Sequence, residues 1–401
     1  MAEKKKKKFS LGIRRAPAGA AAGTESPKKH ARLDTAFLIV IFAMLTYGAI
    51  MVFSASYPAA LSKTGDSFHF ISKHMLFVLA GTAVMFVASY VDYHIFRRFV
   101  FPLVIVAYIL LILVLIPGIG STLGTFARRW IVVGGENLGI NFQPSEIMKF
   151  ATIVLFAHLI ALNQKRMNTF TYGVVPFMVC LMATAVLMML EPHLSGTLLI
   201  FAVGSLMMII GGTKLRWFMG LAGIGGLGVA GLAIIGKLSY ITDRIDSWLD
   251  PFGDVLGDTY QTVQSLIAIG SGGIMGRGVG NSIQKYLYLP ESYNDYIFAI
   301  ICEELGLIGA LLVIILFVVF AMRGFSIASK APDTFGFMMG VGITLQVCIQ
   351  ALLNIAVVTN TIPPTGISLP FFSYGGTALL MLMGEVGILL NISRQASIEK
   401  V

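Results

Sequence analysis

The sequence predicts an all-α, polytopic integral membrane protein with about ten transmembrane helices. Three observations carry that prediction. Of 401 residues, 56% are hydrophobic and 12% are charged, against roughly 25% charged in a soluble domain. So few charges cannot cover a water-facing globule, which excludes a soluble enzyme. Runs free of Asp, Glu, Lys and Arg recur along the chain, most of them near or above the ~20 residues that a membrane helix needs. Finally, 43 glycines and 20 methionines supply the small and adaptable side chains that suit helix contacts in lipid.

The net charge of +9 sits mostly at the N-terminus. Lys4 to Lys8, Arg14, Arg15, Lys28, Lys29 and Arg32 face only Glu3, Glu25 and Asp34, which gives this segment +7 of the total. A basic segment just before an apolar span holds an N-terminus in the cytoplasm. Residues 1–34 are therefore read as a basic, disordered cytoplasmic tail, and no nucleic-acid partner is expected. The following apolar run exceeds the ~7–15 residues of a cleavable signal's core.

The charge-free runs lie at 35–62, 74–91, 99–127, 167–190, 192–213, 217–236, 305–322 and 334–384. The last must break, because Pro363-Pro364 cannot continue a helix. With a further run after Lys149, and with the final helix carrying Glu385, the predicted helices fall at 35–56, 70–90, 99–118, 146–163, 171–190, 194–211, 215–236, 295–322, 334–358 and 374–393. Counting basic residues then fixes the orientation. Arg97/Arg98, Lys165/Arg166, Lys214/Arg216, Arg323/Lys330 and Arg394/Lys400 all fall on one side, so both termini are predicted to be cytoplasmic, with 396–401 as a short C-terminal tail. The domain that matters is 35–395.

Two longer segments, 119–145 and 237–294, fall on the outer side. The second is a large extracytoplasmic loop between predicted helices 7 and 8, and with Asp295 it holds seven acids against Lys237, Arg244, Arg277 and Lys285. In it Ile241, Ile245, Trp248, Leu249 and Phe252 recur at helical spacing, as in a helix lying on a membrane surface. Chemistry is expected on this face.

Charges at membrane depth are costly and tend to be functional. Glu146 and Lys149 stand three apart at the head of predicted helix 4, on one face. Asp295 opens predicted helix 8, where it can either cap the helix with Asn294 or act as a base with a raised pKa. Glu303, Glu304 and Glu385 lie deeper, and the simpler reading is that they pair to hold the bundle together. Arg128 and Arg129, next to Trp130, form a guanidinium pair able to grip phosphate or to anchor at the interface. The run Gly270 to Gly280 lacks the Lys-Ser/Thr ending of a phosphate loop and reads as a tight, re-entrant turn. The glycines from Gly220 to Gly231 read as a close-packing face. Cys180, Cys302 and Cys348 are small apolar side chains with no metal-ligand spacing.

Several stretches together resemble a known family: Arg129-Trp-Ile131, Gln143-Pro-Ser-Glu-Ile-Met-Lys149, Tyr288 to Gly306, Asn354-Ile-Ala-Val-Val358 and Pro364 to Thr377. The chain is similar over residues 35–395 to the SEDS (shape, elongation, division and sporulation) cell-wall polymerases, and most similar to the FtsW and SpoVE branch. The resemblance implies a peptidoglycan glycosyltransferase that polymerises lipid II on the outer face of the bacterial cytoplasmic membrane, at the division septum or in sporulation. It implies a candidate catalytic set of Asp295, Lys149 and Glu146, and candidate substrate-binding residues Arg128, Arg129, Ser373 and Tyr374. Where relatives have Gln-Pro-Asp-Leu-Gly-Thr, this chain has Glu191-Pro-His-Leu-Ser-Gly-Thr197, and His193 receives no role.

The mechanism that fits these residues is one inverting displacement with Asp295 as general base. Lys149 is expected to pair with Asp295, and Arg128 and Arg129 to neutralise the diphosphate. A divalent cation, Mg or Mn, is the one cofactor this chemistry invites, with no organic cofactor. The implied partners are lipid II, a class B penicillin-binding protein transpeptidase, other divisome proteins and membrane lipids. Two alternatives compete. A lipid II flippase would use Glu303, Glu304 and Glu385, and a non-catalytic division scaffold would depend on the tail and the lateral helix faces.

Overall fold

The computed structural model describes residues 33–121, 128–133, 140–220, 248–257 and 259–398. Residues 1–32 of the predicted tail (1–34), most of predicted helix 7 with its glycines (221–236), Ile241 and Ile245, and the last three residues lie outside them.

The apolar runs form helices. In chain order these are α1 (Thr35–Thr64), α2 (His69–Tyr90), a short α3 (His94–Arg98), α4 (Val100–Leu115), α5 (Pro144–Asn163), α6 (Phe170–Gly173), α7 (Val175–Leu190), α8 (Leu194–Ile210), α9 (Tyr260–Gly272), α10 (Ile297–Ser329), α11 (Thr334–Val358) and α12 (Thr377–Ile398). Among the described residues, seven helical segments are long and apolar enough to cross a membrane, counting α6 and α7 as one, and α4 and α8 are shorter apolar helices. Nine of the ten predicted spans are therefore apolar helices, and 215–220, the described start of the other, is helical. The predicted break in 334–384 lies between Val358 and Thr377.

The all-α expectation needs one amendment. Segment 119–145 carries a small antiparallel sheet, β1 (Gly120–Ser121), β2 (Trp130–Val133) and β3 (Ile140–Phe142), in the order β1-β2-β3. Its register pairs Gly120 with Ile131 and Ile131 with Phe142. The β-branched run Ile131-Val-Val133 explains the central strand. Thr377 Oγ1 donates to the Asn141 carbonyl at 2.9 Å, which ties the sheet to the head of α12.

The polar contacts at the helix ends gather in two groups. At one end Arg323 pairs with Asp34, His94 lies between Asp92 (2.7 Å) and Asp333 (2.8 Å), and Asn391 binds the Ser89 carbonyl. Of the basic residues read as cytoplasmic, Arg97, Arg98, Arg323 and Arg394 lie here. At the other end lie the sheet, Lys63 against Tyr293, and Asp295. Trp248 joins this second group. Its Nε1 donates to the Asn360 carbonyl at 2.9 Å, while Leu249 and Phe252 are exposed.

The glycine-rich run is a turn docked on α10. Gly273, Gly276, Gly278 and Gly280 all have positive φ, and α10 itself breaks at Gly306, whose φ is 65°. The two features are complementary. The Leu307 and Ile308 amides, freed by the break, donate to the carbonyls of Gly273 and Ile274. In return, the amides of Arg277 and Gly278 donate to the carbonyls of Glu303 and Glu304. Each group stranded by the kink thus finds a partner in the loop, as buried backbone requires. A Cβ on Gly306 would lie 2.4 Å from the Gly276 nitrogen, so the contact needs glycine.

Glu303 and Glu304 complete that joint. Glu303 accepts from Ser282 Oγ (2.5 Å) and the Ile283 amide (2.9 Å), and Glu304 pairs with Lys285 at 2.8 Å and with Ser54 of α1 at 2.7 Å. These two acids hold structure together, as the simpler reading has it.

Candidate active site

Asp295 stands on the last turn before α10. It does not cap that helix: the N-cap is Tyr296, which makes no side-chain capping bond, and Asn294 Nδ2 donates to Glu291 instead. The Asp295 carbonyl is fixed by Asn354 Nδ2 of α11 at 2.7 Å. Its half-buried carboxylate accepts no hydrogen bond among the described residues. Gly366 keeps that space open, since a Cβ there would lie 3.2 Å from Oδ2. Burial, aided by the charge of Glu291, pushes the Asp295 carboxyl up to about 6, with Arg129 pulling it back down. A positioned carboxylate with a pKa close to working pH suits a general base.

Around it, α5 contributes the expected pair. Lys149 Nζ meets Glu146 Oε2 at 2.8 Å, and it also donates to Gln350 Oε1 of α11 at 3.1 Å. The expected pairing of Lys149 with Asp295 is not formed. Glu146, three residues back on the same face, takes the charge, and Gln350 takes a second hydrogen. Gln350 sits one turn along α11 from Asn354, so Lys149 lies about 6 Å further along that helix than the Asp295 peptide. Gln350 in turn donates to the Ser368 carbonyl at 3.0 Å.

Arg128 is exposed and Arg129 half-buried. The two do not act as one fork, because the Arg129 guanidinium donates to the Pro192 carbonyl and lies beside Glu191. Burial lifts Glu191 to about 8 against the pull of Arg129, and among the described residues neither of its carboxylate oxygens has a hydrogen-bond partner. His193 is buried, with Nδ1 3.5 Å from Gln143 Nε2. Burial, helped by the charges of Arg129 and Lys149, pushes it down to about 3, so its ring is neutral. Ser195 Oγ donates to the Gly366 carbonyl. The Glu191–Ser195 turn is thus part of the site wall, which the sequence did not reveal.

Ser373 and Tyr374 are brought to the same end. Ser373 is buried and fully engaged: Oγ accepts from the Leu369 amide and donates to the Asn294 carbonyl, both at 2.7 Å. It therefore holds the Asp295 turn in place. Tyr374 is half-buried, and its ring packs edge-on against Tyr293 (5.9 Å) and Phe70 (5.4 Å). No group of three or more His, Cys, Asp or Glu side chains able to hold a metal is present among the described residues.

The chain is similar to known proteins over most of its length. A family profile described as "Cell cycle protein", covering FtsW, RodA and SpoVE, matches residues 34–398. The chain belongs to this family. Stage V sporulation protein E of Bacillus subtilis is 41% identical over 361 residues, 90% of this chain and 97% of the relative. The probable peptidoglycan glycosyltransferase FtsW of Trichlorobacter lovleyi is 39% identical over 367 residues, 92% and 94% of the two chains. Among solved structures, one described as structural coordination of polymerization and crosslinking by a peptidoglycan synthase complex superposes with a TM-score of 0.72 at 23% identity, covering 91% of this chain and 98% of that one. The rod shape determining protein RodA of Thermus thermophilus gives 0.65 at 20% identity, covering 90% and 97%. The family and the helices together make this a multi-pass protein of the cytoplasmic membrane.

One prediction concerns Arg129. Its positive charge holds Asp295 down, so Arg129→Ala is expected to raise the Asp295 pKa above about 6. A rate that needs ionised Asp295 rises with pH through that pKa. The acid limb of the pH–rate profile therefore moves to higher pH in the variant, and Arg129→Lys moves it less. An unmoved limb dissociates Arg129 from Asp295.

Proposed function

We propose that the protein is a peptidoglycan glycosyltransferase that polymerises lipid II on the outer face of the cytoplasmic membrane during division or sporulation. The observation that carries this reading is the Asp295 carboxylate, which accepts no hydrogen bond among the described residues, is raised by burial to a pKa of about 6, and has its peptide clamped by Asn354. Family membership and the names of the relatives support it. The Asp295 end is then extracytoplasmic, since the basic residues at the opposite end favour the cytoplasm.

In the mechanism, Asp295 takes the proton of the acceptor's GlcNAc 4-hydroxyl. That oxygen attacks C1 of the donor MurNAc from the face opposite the leaving group. The C1–oxygen bond to the diphosphate breaks, undecaprenyl diphosphate departs, and the configuration inverts. One base and one stabilised leaving group suffice, and no covalent nucleophile is needed. Exposed Arg128, with Arg129 beside it, supplies positive charge for the diphosphate. A divalent cation, Mg or Mn, would share the neutralisation of the diphosphate.

The proposed partner is a class B penicillin-binding protein transpeptidase, which crosslinks the glycan; the resemblance to a peptidoglycan synthase complex supports it. The test is lipid II polymerisation by the purified protein with its transpeptidase and a divalent cation. Glycan strands are expected. Transbilayer movement of labelled lipid II without polymer would replace this reading by a flippase. A functional effect that follows the N-terminal tail and not Asp295 would replace it by a scaffold.

A further inference from the structure

A line of amides on α11 continues beyond the active site. Asn354 holds Asp295, Gln350 holds Lys149, and Gln346, one turn further on, donates from Nε2 to Glu385 Oε2 of α12 at 2.7 Å. Gln346 and Glu385 are both buried, and the mechanism above uses neither. Between Lys149 and Gln346 lies a small cavity, lined also by Thr152, Leu199, Ile200 and Val203, with about 10 Å³ open to water-sized spheres. That is about the space for one water, roughly 10–15 Å³.

The polar atoms around the cavity match a single water. Lys149 has three N–H donors, of which one meets Glu146 and one meets Gln350. Gln346 Oε1 accepts no hydrogen bond among the described residues. Thr152 Oγ1 gives its hydrogen to the Met148 carbonyl at 2.8 Å and keeps its acceptor capacity. One water accepting from Lys149 and donating to Gln346 and Thr152 has the three partners usual for buried water.

We propose that Gln346 and Glu385 are positioning residues for the active site, holding Lys149 through one water in the cavity lined by Lys149, Thr152 and Gln346. This rests on the glycosyl transfer proposed above. The Glu385 carboxylate fixes the Gln346 amide with its Nε2 toward α12, which leaves Oε1 aimed at the water. The hydrogen bonds of such a chain polarise one another along its length. Lys149 is thereby held from three sides, its positive charge set about one helical turn from the Asp295 peptide. The lipid-buried acid serves the outer site without touching substrate.

Two measurements test this with the full-length protein and its transpeptidase. In steady-state polymerisation, Glu385→Gln, whose amide can accept from Gln346 or donate to it and so no longer fixes which end of Gln346 faces the water, is expected to lower kcat about tenfold, the scale of one hydrogen bond, and to change KM less than about twofold. In a Lys149→Gln background the same substitution is expected to cost less than about twofold, because the chain it serves is already gone. Val203→Ile, whose extra methyl occupies the water's place, reproduces the loss if Glu385→Gln does not fold. Wild-type kcat in folded Glu385→Gln, or losses that multiply independently in the double variant, overturns the inference while leaving the polymerase reading intact. The second measurement is an experimental density map that resolves ordered water. Density in the cavity is expected, and an empty cavity overturns the inference even if no variant, nor the wild type, makes glycan.

Discussion

Asp295→Asn is expected to lower lipid II polymerisation at least 100-fold, the lower end of the roughly 10²–10⁴-fold that general-base catalysis supplies, while the protein stays folded. Asn keeps the shape, and the clamp from Asn354 falls on the Asp295 main chain and survives the change. The variant is also expected to be more stable at pH 8 than the wild type. Burial raises the Asp295 pKa from 3.8 to about 6, so the folded state disfavours the charged form. The sign follows from linkage: the cost is absent where Asp295 is protonated in both folded and unfolded states, grows between pH 4 and 6, and is full above 6. Two pKa units correspond to about 3 kcal/mol, and partial access of water to this half-buried group reduces that to roughly 1–2 kcal/mol. Thermal unfolding of both proteins at pH 4 and pH 8 reads the gain, which should appear only at pH 8. Retained polymerisation in the variant would remove Asp295 from its role. Loss of activity with loss of folded protein would assign Asp295 to structure.

What the sequence disclosed follows its physics. Apolar runs separated by basic pairs read directly as helices, because lipid demands helical backbone and charge stops the run. The Glu146–Lys149 pair was legible from an interval of three residues, and it forms at 2.8 Å. Asp295 was legible as a carboxylate at a loop-to-helix boundary. The small sheet was not, since strands of two to four residues fall below any periodic signal. Helix α9 was hidden for a related reason: its 13 residues are too short to span, and they were absorbed into the loop. Gln350, the amide partner of Lys149, and its neighbours Gln346 and Asn354 on α11 escape a reading by charge, since they carry none. Their spacing of four on one apolar helix was the available signal. Nothing local ties Arg129 to Pro192, 63 positions away, and the role of the Glu191–Ser195 turn depends on that long-range contact.

Lys285→Ala is expected to destabilise the protein by about 3–5 kcal/mol, the cost of leaving one member of a buried ion pair without the other. Lys285 and Glu304 are almost completely buried, and among the described residues Ser54 is the further hydrogen-bond partner of their 2.8 Å contact, 2.7 Å from both carboxylate oxygens and 3.1 Å from Nζ. Removing the ammonium strands the carboxylate in an apolar interior. The pair itself need not be worth that much, because its attraction is offset by the cost of taking two charges out of water. The double variant Lys285→Met/Glu304→Gln is therefore expected to recover most of the loss, since it strands no charge and leaves the backbone bonds from Arg277 and Gly278 to α10 in place. Activity should follow stability. The loop runs from this joint through Leu289 and Tyr293, both buried, into Asp295, so a loop that lifts from α10 carries the base away from Asn354. Denaturant unfolding and polymerisation measured on the single and double variants separate the outcomes. A double variant as unstable as the single would show that the ion pair itself, rather than the avoidance of a stranded charge, holds the loop on α10.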